Sequence, residues 1–121
     1  MHAAILPADN TKPIRFEDIE PGEALHALVG GDFQLVGLRS YSMNMYLNEN
    51  GKLEGLPTNL RATVLCNWAE AIRADDVICG DAVVLGPIDD DKGEDTGLAD
   101  VQKSWLERFD AQLSALNHVG D

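Results

Sequence analysis

The chain has few of the residues that build metal and redox sites. Its 121 residues include two cysteines and three histidines. No H-x₃-H, H-E-x-x-H or Cys/His cluster occurs, so the sequence predicts no bound metal and no cofactor. Cys66 and Cys79 lie among apolar neighbours and lack the C-x-x-C spacing that lowers a thiol pKa. We interpret both as small buried hydrophobic residues.

Long apolar runs and positive charge are also scarce. No run approaches the ~18–20 residues that span a bilayer. No basic flank precedes an apolar stretch near the N-terminus, which predicts no secretory signal and a cytoplasmic protein. Nine Lys and Arg stand against 21 Asp and Glu, giving a formal net charge of −12. Because that charge repels nucleic acid and anionic lipid, we expect neither direct nucleic-acid binding nor membrane binding.

Catalytic signatures are missing as well. The sequence has no G-x-S-x-G, no G-x-x-x-x-G-K-[ST] and no G-x-G-x-x-G after a strand. The four serines have no recognisable nucleophile context. Carboxylates are so abundant that no pair stands out for acid–base work. We therefore rank an enzyme below a binding protein, with a carboxylate-based reaction as the enzymatic alternative.

The residues that are present predict an α+β fold. Hydrophobic residues make up 45% and charged residues 25%, as in folded domains, and the length suits a single compact domain over residues 1–121. Alternating or β-branched segments predict a mostly antiparallel sheet, in which the first two strands pair around a turn at residues 9–12. The predicted strands are Ala3–Pro7, Pro13–Phe16, Phe33–Leu38, Tyr41–Leu47 and Val77–Gly86.

One short helix and one long C-terminal amphipathic helix complete the prediction. Pro21 near the start and Gly30 past the end bound the short helix. Thr96 is the expected N-cap of the long helix. Residues 59–71 fit either a strand or a helical turn. The apolar stripe that packs the long helix on the sheet is Leu98, Val101, Trp105, Phe109, Leu113 and Leu116.

The most structured polar segment runs from Asn48 to Arg61. Asn50-Gly51 is a strong hairpin signal, because both residues tolerate the positive φ of a tight turn. We expect the chain to return through Leu53–Pro57. One interpretation is a hairpin whose Asn and Gly residues only satisfy turn geometry.

The other interpretation is a small-ligand site in which polar side chains of this hairpin converge beside the sheet. A nucleotide-like ligand could stack there on Tyr41, Tyr46 or Trp68. The residues of this candidate site are Asn48, Glu49, Gly51, Leu56, Pro57, Asn59 and Arg61.

An acidic loop precedes the long helix. Counted from Asp89, Glu94 falls where an EF-hand needs glycine, so the D-x-D pattern does not predict calcium. Charge runs usually lie in solvent. The functional alternative is an acidic surface that engages a basic protein and could imitate nucleic acid. Its residues are Asp89, Asp90, Asp91, Glu94, Asp95 and Asp100.

Self-association is a further possibility, because exposed strand edges invite pairing. Met43, Met45 and Tyr46 lie on a predicted strand beside the hairpin. A homodimer could form through that edge or through the last helix.

Two motifs together resemble a known family. They are Asn48-Glu-x-Gly-Lys-Leu-x-Gly-Leu-Pro-x-Asn59 and Ile78-x-Gly80-Asp81-Ala-Val-Val-Leu-Gly86. The chain is similar over about Leu25–Gln102 to small uncharacterised domains of bacteria, notably actinobacteria, and of their phages and plasmids. It departs from them at Ala99, where Thr is usual, and over residues 62–73.

The resemblance implies a phage- or plasmid-type accessory protein and supplies no catalytic residue. Together with the charge, it predicts a non-catalytic binding protein whose acidic surface engages a host protein with a basic surface. The alternative is a domain that binds or sequesters a nucleotide-like ligand through the Asn48–Arg61 hairpin.

Overall fold

The computed structural model describes residues 1–119, with side chains described through residue 116. Three helices are interspersed among five strands in the described residues, and a 3₁₀ turn at Arg39–Tyr41 joins the third and fourth strands. The elements are β1 (His2–Leu6), β2 (Arg15–Asp18), α1 (Glu23–Val29), β3 (Phe33–Leu38), β4 (Met43–Asn48), α2 (Leu60–Trp68), β5 (Ala82–Leu85) and α3 (Asp100–Val119).

The five strands form one sheet in the order β2-β1-β5-β4-β3. Every neighbouring pair is antiparallel, so the predicted α+β fold with a mostly antiparallel sheet is confirmed. The predicted pairing of the first two strands is also confirmed. Their turn is closed by Asp9, whose side chain accepts a hydrogen bond from the main-chain N–H of Thr11 at 2.9 Å.

Both faces of the sheet are covered. On one face, α1 packs on Ile5, Val83 and Tyr46. On the other, α2 and α3 pack on Leu6, Val84 and neighbouring residues. Double coverage explains why β1 and β5 read as continuous apolar runs rather than alternating ones.

The short helix agrees with its predicted bounds. Gly30 ends α1 in the left-handed conformation at φ 80°, which glycine adopts without a steric penalty. Residues 59–71 were predicted to form either a strand or a helical turn, and the structure shows a helix there, α2. Asn59 caps it, because its side chain accepts a hydrogen bond from the main-chain N–H of Ala62. Residues 82–85 are the only part of the predicted Val77–Gly86 strand that forms one, because Gly80 kinks the chain at φ 91°.

The long helix is confirmed, but its start and its buried stripe were partly wrong. Thr96 is not the N-cap, since its hydroxyl donates to the Pro87 carbonyl. Instead the Gln102 side chain accepts from the N–H of Ala99 at 2.7 Å, which is half of a capping box. Val101 and Leu116 are exposed at 71% and 65%, whereas Leu106, outside the predicted stripe, is fully buried.

The hairpin predicted at Asn50-Gly51 is wrong. Residues 49–55 form successive turns, and the chain then runs to the start of α2 rather than back along β4. The neighbours of β4 are β5 and β3. Consequently the predicted edge at Met43, Met45 and Tyr46 is wrong too, because β4 lies inside the sheet and β3 forms its edge. Tyr41, predicted to start β4, lies in the 3₁₀ turn.

Candidate functional site

Asn48 closes the turns that follow β4. Its side-chain oxygen accepts from the main-chain N–H of Asn50 at 2.8 Å. Its amide donates to the Val29 carbonyl at 3.2 Å and lies 3.4 Å from a Glu54 carboxylate oxygen. The buried Asn48 side chain therefore connects the loop to the end of α1. Glu49, the next residue of the candidate ligand site, is exposed.

Gly51, Leu56 and Pro57 of the motif bring this loop into contact with the segment before β5. A Cβ on Gly51 would lie 2.7 Å from the Cys79 carbonyl oxygen. Leu56 contacts Gly80, and the Pro57 carbonyl accepts from the N–H of Gly80 at 2.7 Å. Only a residue without a side chain fits so close to a neighbouring backbone. The motif thus encodes a tight backbone contact in place of a hairpin.

Asn59 is fully buried and uses both ends of its amide. The oxygen caps α2 through the N–H of Ala62. The nitrogen donates to the carbonyls of Leu6 at 2.8 Å and Gly80 at 2.9 Å. One side chain thereby joins the start of α2 to the end of β1 and to the bend at Gly80 that precedes β5.

Arg61 is also buried, with 4% of its surface exposed. Its Nε lies 2.6 Å from Asp110 Oδ1 on α3. The other nitrogens donate to main-chain carbonyls of the β1–β2 turn, at 3.1 Å to Pro7 and also to Lys12. Because these partners engage the guanidinium within the fold, Arg61 fixes the turn and α3 in place.

The structure divides the candidate ligand site between two cavities. Asn48 and Glu49 border a cavity of about 330 Å³ with Lys52, Asp76 and Cys79 among its other lining residues. Arg61 borders a different cavity of about 460 Å³ beside Asp110. Asn59 is among the lining residues of neither. Asn48, Asn59 and Arg61 therefore do not converge on one pocket.

The acidic loop folds as an ordered hairpin. Asp89 and Glu94 form a β-bridge, and the Asp89 side chain accepts from the main-chain N–H groups of Asp91 and Lys92 at 2.9 and 3.2 Å. Gly93 takes the left-handed conformation that the turn requires, at φ 66°. Asp90, Asp91 and Glu94 are left exposed on this frame.

Asp95 anchors the hairpin to the sheet. Its carboxylate accepts a hydrogen bond from the hydroxyl of Tyr46, a buried residue of β4. Burial of the phenol, and then its hydrogen bond to Asp95, raise the pKa of Tyr46 well above the usual value for tyrosine. Of the six predicted acidic residues, Asp89 and Asp95 thus build the hairpin, and the other four face solvent.

The comparisons with known proteins bear on the chain as a whole. Residues 1–110 match the family described as a domain of unknown function (DUF3846). The chain belongs to this family. No match came from the curated proteins or from the solved structures. The resemblance to a small uncharacterised domain family is confirmed, while its distribution among bacteria, phages and plasmids stays a prediction.

The two thiols of this DUF3846 domain differ in exposure. Cys66 is fully buried, as predicted, with its sulfur 3.5 Å from that of Met45. Burial raises the pKa of the Cys66 thiol to about 12, so the thiol is unreactive near neutral pH. Cys79 was also predicted to be buried but is only half-buried, at the cavity of Asn48. Among residues 1–116, whose side chains the structure describes, no cluster of His, Cys, Asp and Glu is arranged to hold a metal ion.

An aromatic groove on the helical face was not predicted. Trp105 stacks on Phe109, with ring centroids 5.7 Å apart and planes inclined by 6°. Trp68 meets Phe109 edge-on and is 47% exposed. Trp105 and Phe109 stood in the predicted stripe, but no sequence pattern joined Trp68 to them.

None of the described helices is long and apolar enough to cross a membrane.

Proposed function

We propose that this DUF3846 protein is a non-catalytic binding protein that engages a host protein with a basic surface. Its role would be that of a phage- or plasmid-type accessory protein acting in the cytoplasm. The observation that carries the proposal is the ordered acidic hairpin at residues 89–95. A preorganised loop binds more tightly than a mobile one, because less conformational entropy is lost on association.

The hairpin supports this function because its carboxylates are divided by task. Asp89 accepts two main-chain N–H groups, and Asp95 accepts the Tyr46 hydroxyl. The side chains of Asp90, Asp91 and Glu94 make no such hydrogen bonds and are exposed to solvent. Fixed like charges with no internal partner are the kind of surface that steers a basic protein during encounter.

Two further carboxylates lie at the same end of the sheet. The register of β1 and β2 sets Asp18 opposite His2, and Asp18 pairs with the N-terminal ammonium at 2.7 Å. The N–H of Leu98 donates to the carbonyl of His2 at 2.8 Å, so α3 begins nearby with Asp100, which pairs with Lys103 at 3.5 Å. Both charges are balanced by a cation within the fold, so the proposal depends on the carboxylates of the hairpin itself.

Capture from a host lysate at low and at high salt tests the proposal. The test variant carries Asp90→Lys, Asp91→Lys and Glu94→Lys, and leaves the structural Asp89 and Asp95 intact. The matched control carries Glu49→Lys, Asp75→Lys and Glu107→Lys, three exposed positions away from the hairpin and from the end of β2. Both variants change the net charge equally, so only a local effect separates them.

We expect a basic protein to bind the wild type and the control variant, and the hairpin variant to lose it. Binding should also weaken steeply as salt rises, since exposed charges are screened within about 10 Å at 0.1 M salt. Binding that resists salt, or that survives the hairpin reversals, contradicts the proposal. Mimicry of nucleic acid would further require that nucleic acid compete for the same partner.

A second candidate function rests on the cavity beside Asn48. Its volume of about 330 Å³ is within the usual range for small-molecule sites. Lys52 and Asp76 form an ion pair at its border. The phosphate of a nucleotide-like ligand would therefore have to displace the Asp76 carboxylate from Lys52. A thermal shift with a nucleotide panel tests this, because a ligand bound only to the native state raises Tm. The shift should vanish in Lys52→Ala, and no shift with any nucleotide contradicts the idea.

A further inference from the structure

The two edges of the sheet differ in charge. At one edge, β2 has the sequence Arg-Phe-Glu-Asp, in which three of four residues are charged. At the other, β3 has the sequence Phe-Gln-Leu-Val-Gly-Leu, with no charge and no proline. Proteins usually protect edge strands with charged residues or proline, since unpaired main-chain groups attract another strand. β3 has neither protection.

The open main-chain groups of β3 can be assigned. The N–H of Glu49 donates to the carbonyl of Asp32 at 2.8 Å, and the register sets residues 32 and 49 opposite each other. In an antiparallel pair, hydrogen-bonded and non-hydrogen-bonded positions alternate. Residues 34, 36 and 38 therefore bond to β4, and Phe33, Leu35 and Gly37 direct their N–H and C=O groups away from the sheet.

Phe33, Leu35 and Gly37 are self-complementary when a second copy of β3 lies antiparallel to the first. A two-fold axis perpendicular to the sheet at Leu35 sets Leu35 opposite Leu35 of a second copy. The same axis sets Phe33 opposite Gly37, so that a large side chain faces a small one on each side of the centre. All the outward groups of Phe33, Leu35 and Gly37 then find partners. Leu35, now 45% exposed, is covered.

The charges that flank β3 favour the same arrangement. Asp32 precedes the strand and Arg39 follows it, and both are exposed. In the antiparallel pairing, Asp32 of each copy lies within one residue of Arg39 of the other. A parallel pairing would instead bring Asp32 to Asp32 and Arg39 to Arg39. Between the two lies an uncharged strand, so the strand pairing itself sets no like charges against each other.

We propose that β3 is a dimerisation edge, at which a second copy of this chain pairs antiparallel about Leu35 to form a continuous ten-stranded sheet. The surface differs from the acidic end and leaves it open. An edge pair alone covers less than the roughly 1,200 Å² of a standard stable interface. The dimer is therefore expected to dissociate on dilution.

Sedimentation velocity over a wide concentration range tests the proposal on the full chain. The test variant is Leu35→Lys, which puts two positive charges against each other at the axis. Val101→Lys is the matched control, because Val101 is 71% exposed and lies on α3, where none of the residues lining its cavity belongs to β3. Thermal melts show whether each variant folds. We expect the wild type and Val101→Lys to dimerise, and the dissociation constant of Leu35→Lys to rise about tenfold or more.

A charge exchange provides a second test that leaves the strand unchanged. Asp32→Arg or Arg39→Asp alone sets like charges together and should weaken the dimer. Both substitutions in one chain restore opposite charges and should recover it. A wild-type chain that stays monomeric overturns the proposal and leaves the edge open to a strand of another protein. A dimer that survives Leu35→Lys but is lost in Trp68→Lys overturns it in favour of the helical face.

Discussion

Arg61 and Asp110 join α2 to α3 through a buried ion pair. The guanidinium Nε and the carboxylate Oδ1 are 2.6 Å apart, and the side chains are 5% and 16% exposed. The same carboxylate lies 3.3 Å from the N–H of Ile14. The pair thus connects both helices of one face to the β1–β2 turn, although 49 residues separate its members in sequence.

Arg61→Ala should strongly destabilise the fold. It leaves the Asp110 charge and the carbonyls of Pro7 and Lys12 without their donor. Breaking one half of a buried pair costs about 3–5 kcal/mol. Urea denaturation measures the loss as a lower midpoint with an unchanged slope.

The control is Arg73→Ala, because Arg73 pairs with Asp75 at 3.3 Å while both side chains are at least 75% exposed. Exposed pairs contribute little, so its midpoint should match the wild type. An Arg61→Ala midpoint equal to that of Arg73→Ala would show that the buried pair does not support the fold.

Asn59→Asp should also destabilise the protein, even though aspartate is as good an N-cap as asparagine. The substitution keeps the cap on Ala62 but removes the donor to the carbonyls of Leu6 and Gly80. It also sets a carboxylate against those carbonyl oxygens. We expect a loss of roughly 2–4 kcal/mol from the two unsatisfied buried acceptors.

Asn10→Asp makes the same chemical change at an exposed position, and we expect no measurable shift in its midpoint. If Asn59→Asp is equally neutral, Asn59 serves as a helix cap only. Asn59→Ser separates the roles further, since serine caps but cannot reach both carbonyls.

Local patterns predicted the elements that local interactions decide. Pro21 and Gly30 set the bounds of α1, and alternation located β3. The motif at Asn50-Gly51 failed because its glycine is needed for a distant contact. The Gly51 backbone packs on Cys79, and no short-range rule distinguishes that need from the positive φ of a hairpin turn.

The candidate site divides in the same way. Charge patterning located the acidic hairpin, since consecutive carboxylates lie in solvent. Asn59 and Arg61 were predicted to belong to a ligand site, whereas in the structure their side chains donate hydrogen bonds to carbonyls of β1 and its turn. Those partners follow from the tertiary fold, and Asp110 is one of 21 acidic residues in the chain.

Gly51→Asn should disrupt the fold while Gly55→Asn should not. Any Cβ at Gly51 meets the Cys79 carbonyl oxygen at 2.7 Å, whereas Gly55 has open space at φ 69°. Asparagine tolerates the left-handed conformation, so Gly55→Asn carries little strain. Thermal melts should show a clear fall in Tm for Gly51→Asn alone. Equal melting temperatures would mean that the loop can move away from Cys79 at no cost.

Tyr46 should make the stability of the protein fall at high pH. Burial and the hydrogen bond to Asp95 raise its pKa in the folded state. In the unfolded chain a tyrosine titrates near pH ~10. The stabilising effect of the neutral phenol is therefore complete below pH ~10 and is lost as pH rises above it, because the unfolded state then releases the proton first.

The tyrosinate absorbance of Tyr41→Phe reports this titration directly, because Tyr46 is then the only tyrosine left. We expect Tyr46 to ionise only together with unfolding, well above pH ~10. Tyr46→Phe should be less stable than the wild type at neutral pH, since the Asp95 carboxylate loses a donor. That difference should shrink as pH rises, because the phenylalanine variant has no proton to lose. A folded protein whose Tyr46 titrates near pH ~10 would show that Asp95 does not hold the phenol, and the anchor of the acidic hairpin would have to lie elsewhere.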